Sequence, residues 1–318
     1  MAISRNIKSD RGLNFRMLMT GLFLVLLYGL VVGILIAVGI SYALVLVIAL
    51  VLIFCQYWFS AKIAMYAMHA KEVTPEQAPE LHGVVDRLCA LADMPKPKVG
   101  IATTDIPNAF ATGRSPKSSV VCVTSGLLRR LDEPEVEAVL SHELSHVAHR
   151  DVAVMTIASG LGMIAGLLTR VLFYSDIFGG GRGNNNNQNQ AGIELLVLLV
   201  SVVVYFVSFL LTMALSRYRE LAADRSGALL IGRPSLLASA LVKITGEMGS
   251  IPTKDLRAAE PFNAFFFTPA VANGAAQGEG GGFSFGNLFR THPTLEKRLA
   301  QLDALERQLG QAGGPGPV

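Results

Sequence analysis

The residues best equipped for chemistry are Ser141-His142-Glu143-Leu144-Ser145-His146, in which two histidines stand four apart around a glutamate. On a helix, residues four apart share one face a turn apart, so both imidazoles can reach a single zinc ion. The intervening Glu143 points about 100° away, near enough to serve water at the metal without taking a coordination position. The chemistry implied is metal-assisted hydrolysis of a peptide bond, with Glu143 as general base. Local signals place the motif on a helix over residues 132–149. Asp132 is the N-cap, Pro134 falls in the first turn, and Glu135 three residues after the cap makes a capping box. Val136, Leu140, Leu144 and Val147 then form an apolar stripe beside the histidine face. Two helical histidines packed in a core are the alternative, and further ligands decide between them.

Zinc needs at least one more protein ligand. His149 lies seven residues after His142, on nearly the same azimuth. It is also about 10 Å further along the axis, too far to share an ion bound at about 2.1 Å. A metzincin would have a histidine six residues after His146, where this chain has Val152. An acidic ligand from elsewhere remains, and Glu220 with Asp224 is the outstanding pair. Four apart on one helix face, Glu220 can bind metal while Asp224 orients a ligand histidine through its free ring nitrogen. The competing reading pairs Glu220 with Arg217, or Asp224 with Arg225, on a solvated face.

The elements that must position these residues follow from composition. The 318 residues are 51% hydrophobic and 16% charged, with mean hydropathy +0.46. A soluble chain carries about a quarter charged residues, so membrane segments are expected. The net charge of +3 is small and dispersed, which argues against nucleic acid. Cys55, Cys89 and Cys122 have no metal-binding spacing, and an odd, scattered set fits a reducing compartment.

A basic N-terminus, residues 1–16, precedes an uncharged run from Met17 to Cys55. That run suits two spans turning near Gly39-Ile40-Ser41-Tyr42, so residues 17–59 read as a first membrane hairpin. Tyr57 and Trp58 fall at its interface. Basic residues at both open ends, Lys62 and Lys71 among them, put the N-terminus and the chain after residue 60 in the cytoplasm. Residues 60–151 form the first half of a soluble domain. It holds a helix from Thr74 through Leu91, strands over Val99–Thr103, Asn108–Gly113 and Ser118–Thr124, and the zinc helix. Residues 152–216 make a second hairpin, Val152–Thr169 and Leu195–Ser216, joined by a flexible asparagine-rich loop at 175–192. Gly160, Gly162 and Gly166 permit close helix packing there, and a partly embedded hairpin is the rival to full crossing. No Gly or Pro separates the last apolar stretch from Glu220, which predicts one continuous helix. Residues 217–308 complete the domain, with helices opening at Pro234 and at Thr291-His292-Pro293 around a glycine-rich 274–286, and 309–318 are a disordered tail. A membrane hairpin returns both ends to one surface. His146 and Glu220 therefore reach the same depth, about 10 Å from the bilayer, which favours the metal reading of Glu220.

Taken together, His142 through His146, Glu220-Leu221-Ala222-Ala223-Asp224, Asn108-Ala109-Phe110-Ala111, and His292-Pro293 with Arg298 resemble the HtpX group of membrane zinc metallopeptidases, relatives of the CAAX prenyl proteases. The resemblance covers residues 17–308. It implies an α+β, gluzincin-like peptidase domain, mostly helical with a small sheet, combined with about four transmembrane helices in two hairpins. It implies one Zn2+ per chain on His142, His146 and Glu220, with Glu143 catalytic and Asp224 behind a ligand histidine. It also implies that Asn108, Ala109, Phe110 and Ala111 form an edge strand on which extended substrate pairs, and that His292 and Arg298 face the reacting carbonyl. The implied task is quality control of misfolded or damaged membrane proteins, cut at the cytoplasmic face of a bacterial inner membrane. Prenyl-protein processing is the nearest rival and needs a larger enclosed chamber than four spans readily make. A zinc-stabilised scaffold would need a fourth protein ligand, and a transporter would need charges in mid-membrane.

Overall fold

The computed structural model describes residues 11–38, 43–178, 188–248 and 290–312. In chain order it opens with α1 (Arg11–Val38), α2 (Ala43–Ala67), β1 (Ala70–Glu72), α3 (Pro79–Ala92), β2 (Lys98–Ala102), β3 (Ala109–Gly113) and β4 (Ser119–Thr124). It continues with α4 (Ser125–Arg130), α5 (Glu133–Ala148), α6 (Asp151–Phe178), α7 (Gln188–Ile231), α8 (Pro234–Met248) and α9 (Leu295–Ala312). Contacts divide the chain into two units, Met1–Ile53 with Met155–Tyr218, and Phe54–Val154 with Arg219–Val318.

The first unit is built from the apolar stretches. Within it α6 and α7 meet through small residues: a Cβ on Gly162 would lie 3.4 Å from Ser208 Oγ, and one on Gly166 would lie 3.4 Å from the Tyr205 ring. Thr212 Oγ1 donates to Ser208 O and, across the pair, to Ala158 O at 3.3 Å. Leu195, Leu196, Leu199, Val202, Val203 and Phe206 point outward, each roughly half exposed or more. Among the described residues one helical segment, Leu198–Ile231, is long and apolar enough to cross a membrane, and up to three do if each bent helix pair counts as one span. The turn expected at Gly39–Tyr42 and the glycine-rich 274–286 lie outside the described residues.

The second unit centres on a four-stranded sheet of order β1-β2-β4-β3. β2 and β4 run parallel, and the outer pairs, β1 with β2 and β3 with β4, are antiparallel. β4, the β-branched run Ser-Val-Val-Cys-Val-Thr, is buried at every position, as expected of a central strand covered on both faces. Val99, Ala109, Val121 and Val123 face a helical layer with Leu88 of α3, Leu140 and Leu144 of α5, Leu241 and Ile244 of α8, and Leu302 of α9. On the opposite face Ala102, Phe110 and Cys122 receive Ala64, Met65 and Met68 from the end of α2 and the turn after it. Gly113 ends β3 at φ 145°, a conformation in which any Cβ would strike Ser118 O at 2.5 Å, so the hairpin turns there.

Several boundaries differ from those the sequence predicts. α3 starts at Pro79 rather than Thr74, because proline suits the first helical position and Thr74 N–H is taken by the Gln77 side chain. β1, Ala-Lys-Glu, carries no strand signal of its own and exists through its pairing with β2. α6 extends to Phe178 and α7 begins at Gln188, so helix covers both ends of the segment read as a loop; residues 179–187 lie outside the described residues. α9 likewise runs through Gly310 to Ala312, into the segment read as a disordered tail.

α7 crosses α5 at Gly227. A Cβ there would lie 2.7 Å from His142 N and 2.8 Å from His142 Cα, and Ser141 Oγ donates to Gly227 O at 3.1 Å. Gly227→Ala should therefore destabilise the chain by about 1–3 kcal/mol through overpacking. Gly83→Ala on α3, where nothing lies within 4 Å, should stabilise it by about 0.5–1 kcal/mol. Thermal unfolding in detergent checks both signs.

Candidate active site

α5 starts where its capping box requires. Asp132 N–H donates to Glu135 Oε2 at 3.1 Å, and Glu135 is further held by Ser239 Oγ and Lys243 Nζ of α8. The helix buries Val136, Leu140, Leu144 and Val147, and this fixes the direction of the histidine face. His142 and His146 stand with ring centroids 4.8 Å apart and planes at 86°, their Nε2 atoms 3.2 Å from each other. Glu220 arrives from α7, with Oε1 3.4 Å from His146 Nε2 and Oε2 3.8 Å from His142 Nε2.

Behind each histidine stands a carboxylate. Asp224 Oδ1 lies 2.9 Å from His142 Nδ1, and Asp151 Oδ2 lies 2.6 Å from His146 Nδ1. Each carboxylate is in turn held by a buried arginine. Arg298 of α9 grips Asp224 through Nε and Nη2 at 2.7 and 2.6 Å, and Arg219 of α7 contacts Asp151 Oδ1. With each Nδ1 turned to a carboxylate, the proton of each neutral ring belongs there, leaving a bare lone pair on each Nε2. Two such lone pairs 3.2 Å apart repel unless a cation sits between them. Donors of a tetrahedral ion bound at about 2.0–2.1 Å are separated by about 3.3–3.5 Å. His142, His146 and Glu220 match that spacing, with donor atoms all within 4.8 Å of one another. Glu220 Oε2 is moreover buried and, among the described residues, makes no well-formed hydrogen bond, with His292 Nδ1 3.1 Å away; a metal ion would meet that need.

The remaining predicted residues cluster here too. Glu143 is buried, and its Oε2 accepts the Ala111 N–H of β3 at 3.0 Å. Burial pushes its carboxyl up to about 8, and the Glu220 charge adds to the rise. Burial pushes the His142 imidazole down, against the pull of Asp224; the same burial acts on His146, but Glu220 outweighs it and the group ends up raised. His292 Nδ1 lies 3.1 Å from Glu220 Oε2. Arg298 is 2% exposed and committed to Asp224, with Nη1 3.9 Å from Glu220 Oε2. The alternative pairing of Glu220 and Asp224 on a solvated face is not what forms, since both carboxylates are buried. His149 stands apart from the donor set, with Nε2 3.4 Å from Ser226 Oγ.

β3 lies at the sheet edge, as the Asn108–Ala111 reading requires. Asn108 N–H donates to Thr124 Oγ1 and its carbonyl accepts Thr124 N–H, so its backbone is spent within the sheet. Antiparallel pairing alternates, and with the observed register Phe110 also faces β4 while Ala109 and Ala111 present N–H and C=O to the open edge.

Sequence reasoning missed Asp151 and Arg219. The signal for Asp151 is slight: it follows Arg150, whose left-handed φ of 56° ends the turn after α5 and brings the next carboxylate back to His146. Arg219 carries no local signal at all.

Two histidines and an acid converging from separate helices, with a buried glutamate beside them, define a metallopeptidase. The chain belongs to peptidase family M48, whose model matches residues 75–306. It is 56% identical over 309 residues to Protease HtpX homolog 1 of Streptomyces coelicolor, covering 97% of this chain and 98% of that one. It is 49% identical over 306 residues to the HtpX homolog of Moorella thermoacetica, covering 96% and 98%, and 38% identical over 293 residues to that of Pyrococcus furiosus, covering 92% and 96%. The crystal structure of S. mikatae Ste24p shares the fold at a TM-score of 0.54 and 17% identity, over 92% of this chain and 67% of that one.

Replacing either supporting carboxylate, by Asp151→Asn or Asp224→Asn, should weaken metal affinity about 10–100-fold with the three donors intact, measured by chelator competition. A second expectation concerns pH. Glu143 has its folded pKa raised from 4.5 to about 8, so its contribution to stability is full below 4.5 and is lost as pH rises through 8. In chelator-treated protein the melting temperature of wild type should therefore fall relative to Glu143→Gln between pH 5 and 8.5; parallel profiles would show that burial does not act on this carboxyl.

Proposed function

We propose that the chain is a zinc-dependent endopeptidase that cuts misfolded or damaged membrane proteins at the cytoplasmic face of a bacterial inner membrane. The observation that carries this is the placement of Glu143 between the His142–His146–Glu220 donor set and the open edge of β3. In this reading the apolar helices form two membrane hairpins, 17–59 and 152–216, and segments 60–151 and 217–308 make one peptidase domain on the side of the N-terminus. The excess of Lys and Arg at the open ends of the first hairpin supports that orientation.

His142, His146 and Glu220 would hold the zinc ion, which when bound would supply Lewis acidity at the carbonyl and lower the pKa of water toward about 7. The rest is done by the chain. Asp224 and Asp151 fix the tautomer and direction of the two imidazoles, and Arg298 acts as a positioning residue through Asp224. Ala109 and Ala111 pair with an extended substrate, adding a strand to the sheet and laying the scissile bond across α5. Glu143 takes the proton of the attacking water and passes it to the leaving amine. In this reading His292, whose Nδ1 lies 3.1 Å from Glu220 Oε2, donates to the developing oxyanion.

Detergent-purified protein should carry one zinc per chain by elemental analysis. Glu143→Gln should keep that zinc while cleavage of an unfolded membrane-protein reporter falls about 10²–10⁴-fold. Glu220→Gln should lose zinc and activity together. Substantial cleavage by Glu143→Gln would overturn the assignment of the base, and another metal in its place would overturn zinc.

A further inference from the structure

α2 is not straight. Its limbs Leu50–Trp58 and Ser60–Ala67 meet at 69°, and the second limb carries an arrangement that the peptidase reaction does not use. On the inner side of this limb Ala64 is fully buried and, with Met65, packs on the sheet face formed by Ala102, Phe110 and Cys122. On its outer side Phe59, Ile63 and Tyr66 are 41%, 48% and 83% exposed, at positions i, i+4 and i+7 of one helical face. Lys62 stands among them, also exposed, with its Nζ 6.0 Å from the Phe59 ring. At the bend, Tyr57 donates to the carbonyl of Arg114, and the Arg114 guanidinium lies 3.9 Å over the Trp58 ring. The tip of the β3–β4 hairpin, with exposed Lys117, is thereby fastened to the end of the apolar limb.

We propose that Ser60–Ala67 lies in the plane of the bilayer interface, with Phe59, Ile63 and Tyr66 among the lipid headgroups and Lys62, Arg114 and Lys117 facing their phosphates. Three features select lipid over a protein partner. The limb before the bend, Leu50–Trp58, also leaves apolar side chains open, with Val51, Leu52 and Phe54 about half exposed. Its aromatic rings interleaved with cations match the headgroup layer, where amphipathic rings and snorkelling lysines are favoured. A helix bent from a span and apolar on one side is the form that lies on a membrane surface rather than crossing it.

The consequence bears on substrate choice and rests on the endopeptidase reading. Gly113 ends β3 at the hairpin that Tyr57 and Trp58 hold at headgroup depth, and Ala111 beside Glu143 is two residues away, about 7 Å of extended chain. A segment leaving the bilayer reaches the site within a few residues. Cleavage is directed to the stretch next to a transmembrane helix.

The test uses the full chain in nanodiscs containing anionic lipid. Spin labels are placed at Val51, Ile63, Tyr66 and, as a water-exposed control, Leu91; Cys55 is replaced by serine, and Cys89 and Cys122 are buried. Oxygen and nickel-chelate accessibility should place Val51 in the hydrocarbon, Ile63 and Tyr66 at headgroup depth, and Leu91 in water. Val51 in lipid with Ile63 and Tyr66 tracking Leu91 overturns the proposal and leaves the membrane peptidase standing. Shielding of Ile63 and Tyr66 from both reagents overturns it in favour of a protein partner, and Val51 in water sinks the membrane reading together with it. Independently, Ile63→Glu/Tyr66→Glu should raise KM for a membrane-anchored substrate about tenfold or more while kcat/KM for a soluble peptide stays unchanged. An equal loss on both substrates overturns the proposal.

Discussion

Everything around the active site answers to one electrostatic constraint. Glu143, Glu220, Asp224, Asp151, Arg298 and the His142 imidazole are buried together, with the His146 side chain 16% exposed beside them, and burying charge is tolerated only where each group finds a partner. The structure meets this with two chains of contact, Arg298 to Asp224 to His142 and Arg219 to Asp151 to His146, which converge on a single pair of ring nitrogens. Three segments distant in sequence, 142–151, 219–224 and Arg298, must meet to build them. The capping box of α5, the small Gly227 on α7 and the leucine face of α9 are the means by which they meet.

Those means differ in how far they can be read from the chain. The α5 helix was legible because its signals are local: a cap, a proline, a glutamate three residues on and an apolar stripe all sit within one short window. The continuity of α7 was legible for the opposite reason, the absence of any breaker between an apolar run and Glu220. The β3–β4 hairpin announced itself through β-branched residues and Gly113. Asp151 was not legible, because its role depends on a left-handed turn at Arg150, a residue type that does not advertise that conformation. The commitment of Arg298 to Asp224 was equally hidden, since it depends on how α9 docks rather than on its own periodicity.

α7 joins two tasks in one rod. The apolar window that begins at Leu198 and the donor Glu220 belong to a single helix, without a hinge in which to absorb error.

The hydrogen bond from Ala111 N–H to Glu143 ties together two properties that are usually separate. An exposed strand edge invites pairing with any extended chain, and here the donor nearest the chemistry is already occupied by a carboxylate. In the proposed reading, a peptide carbonyl that settles on Ala111 would displace Glu143 and free its carboxylate to face water, so the base would be unmasked by the arrival of the chain it is to cut.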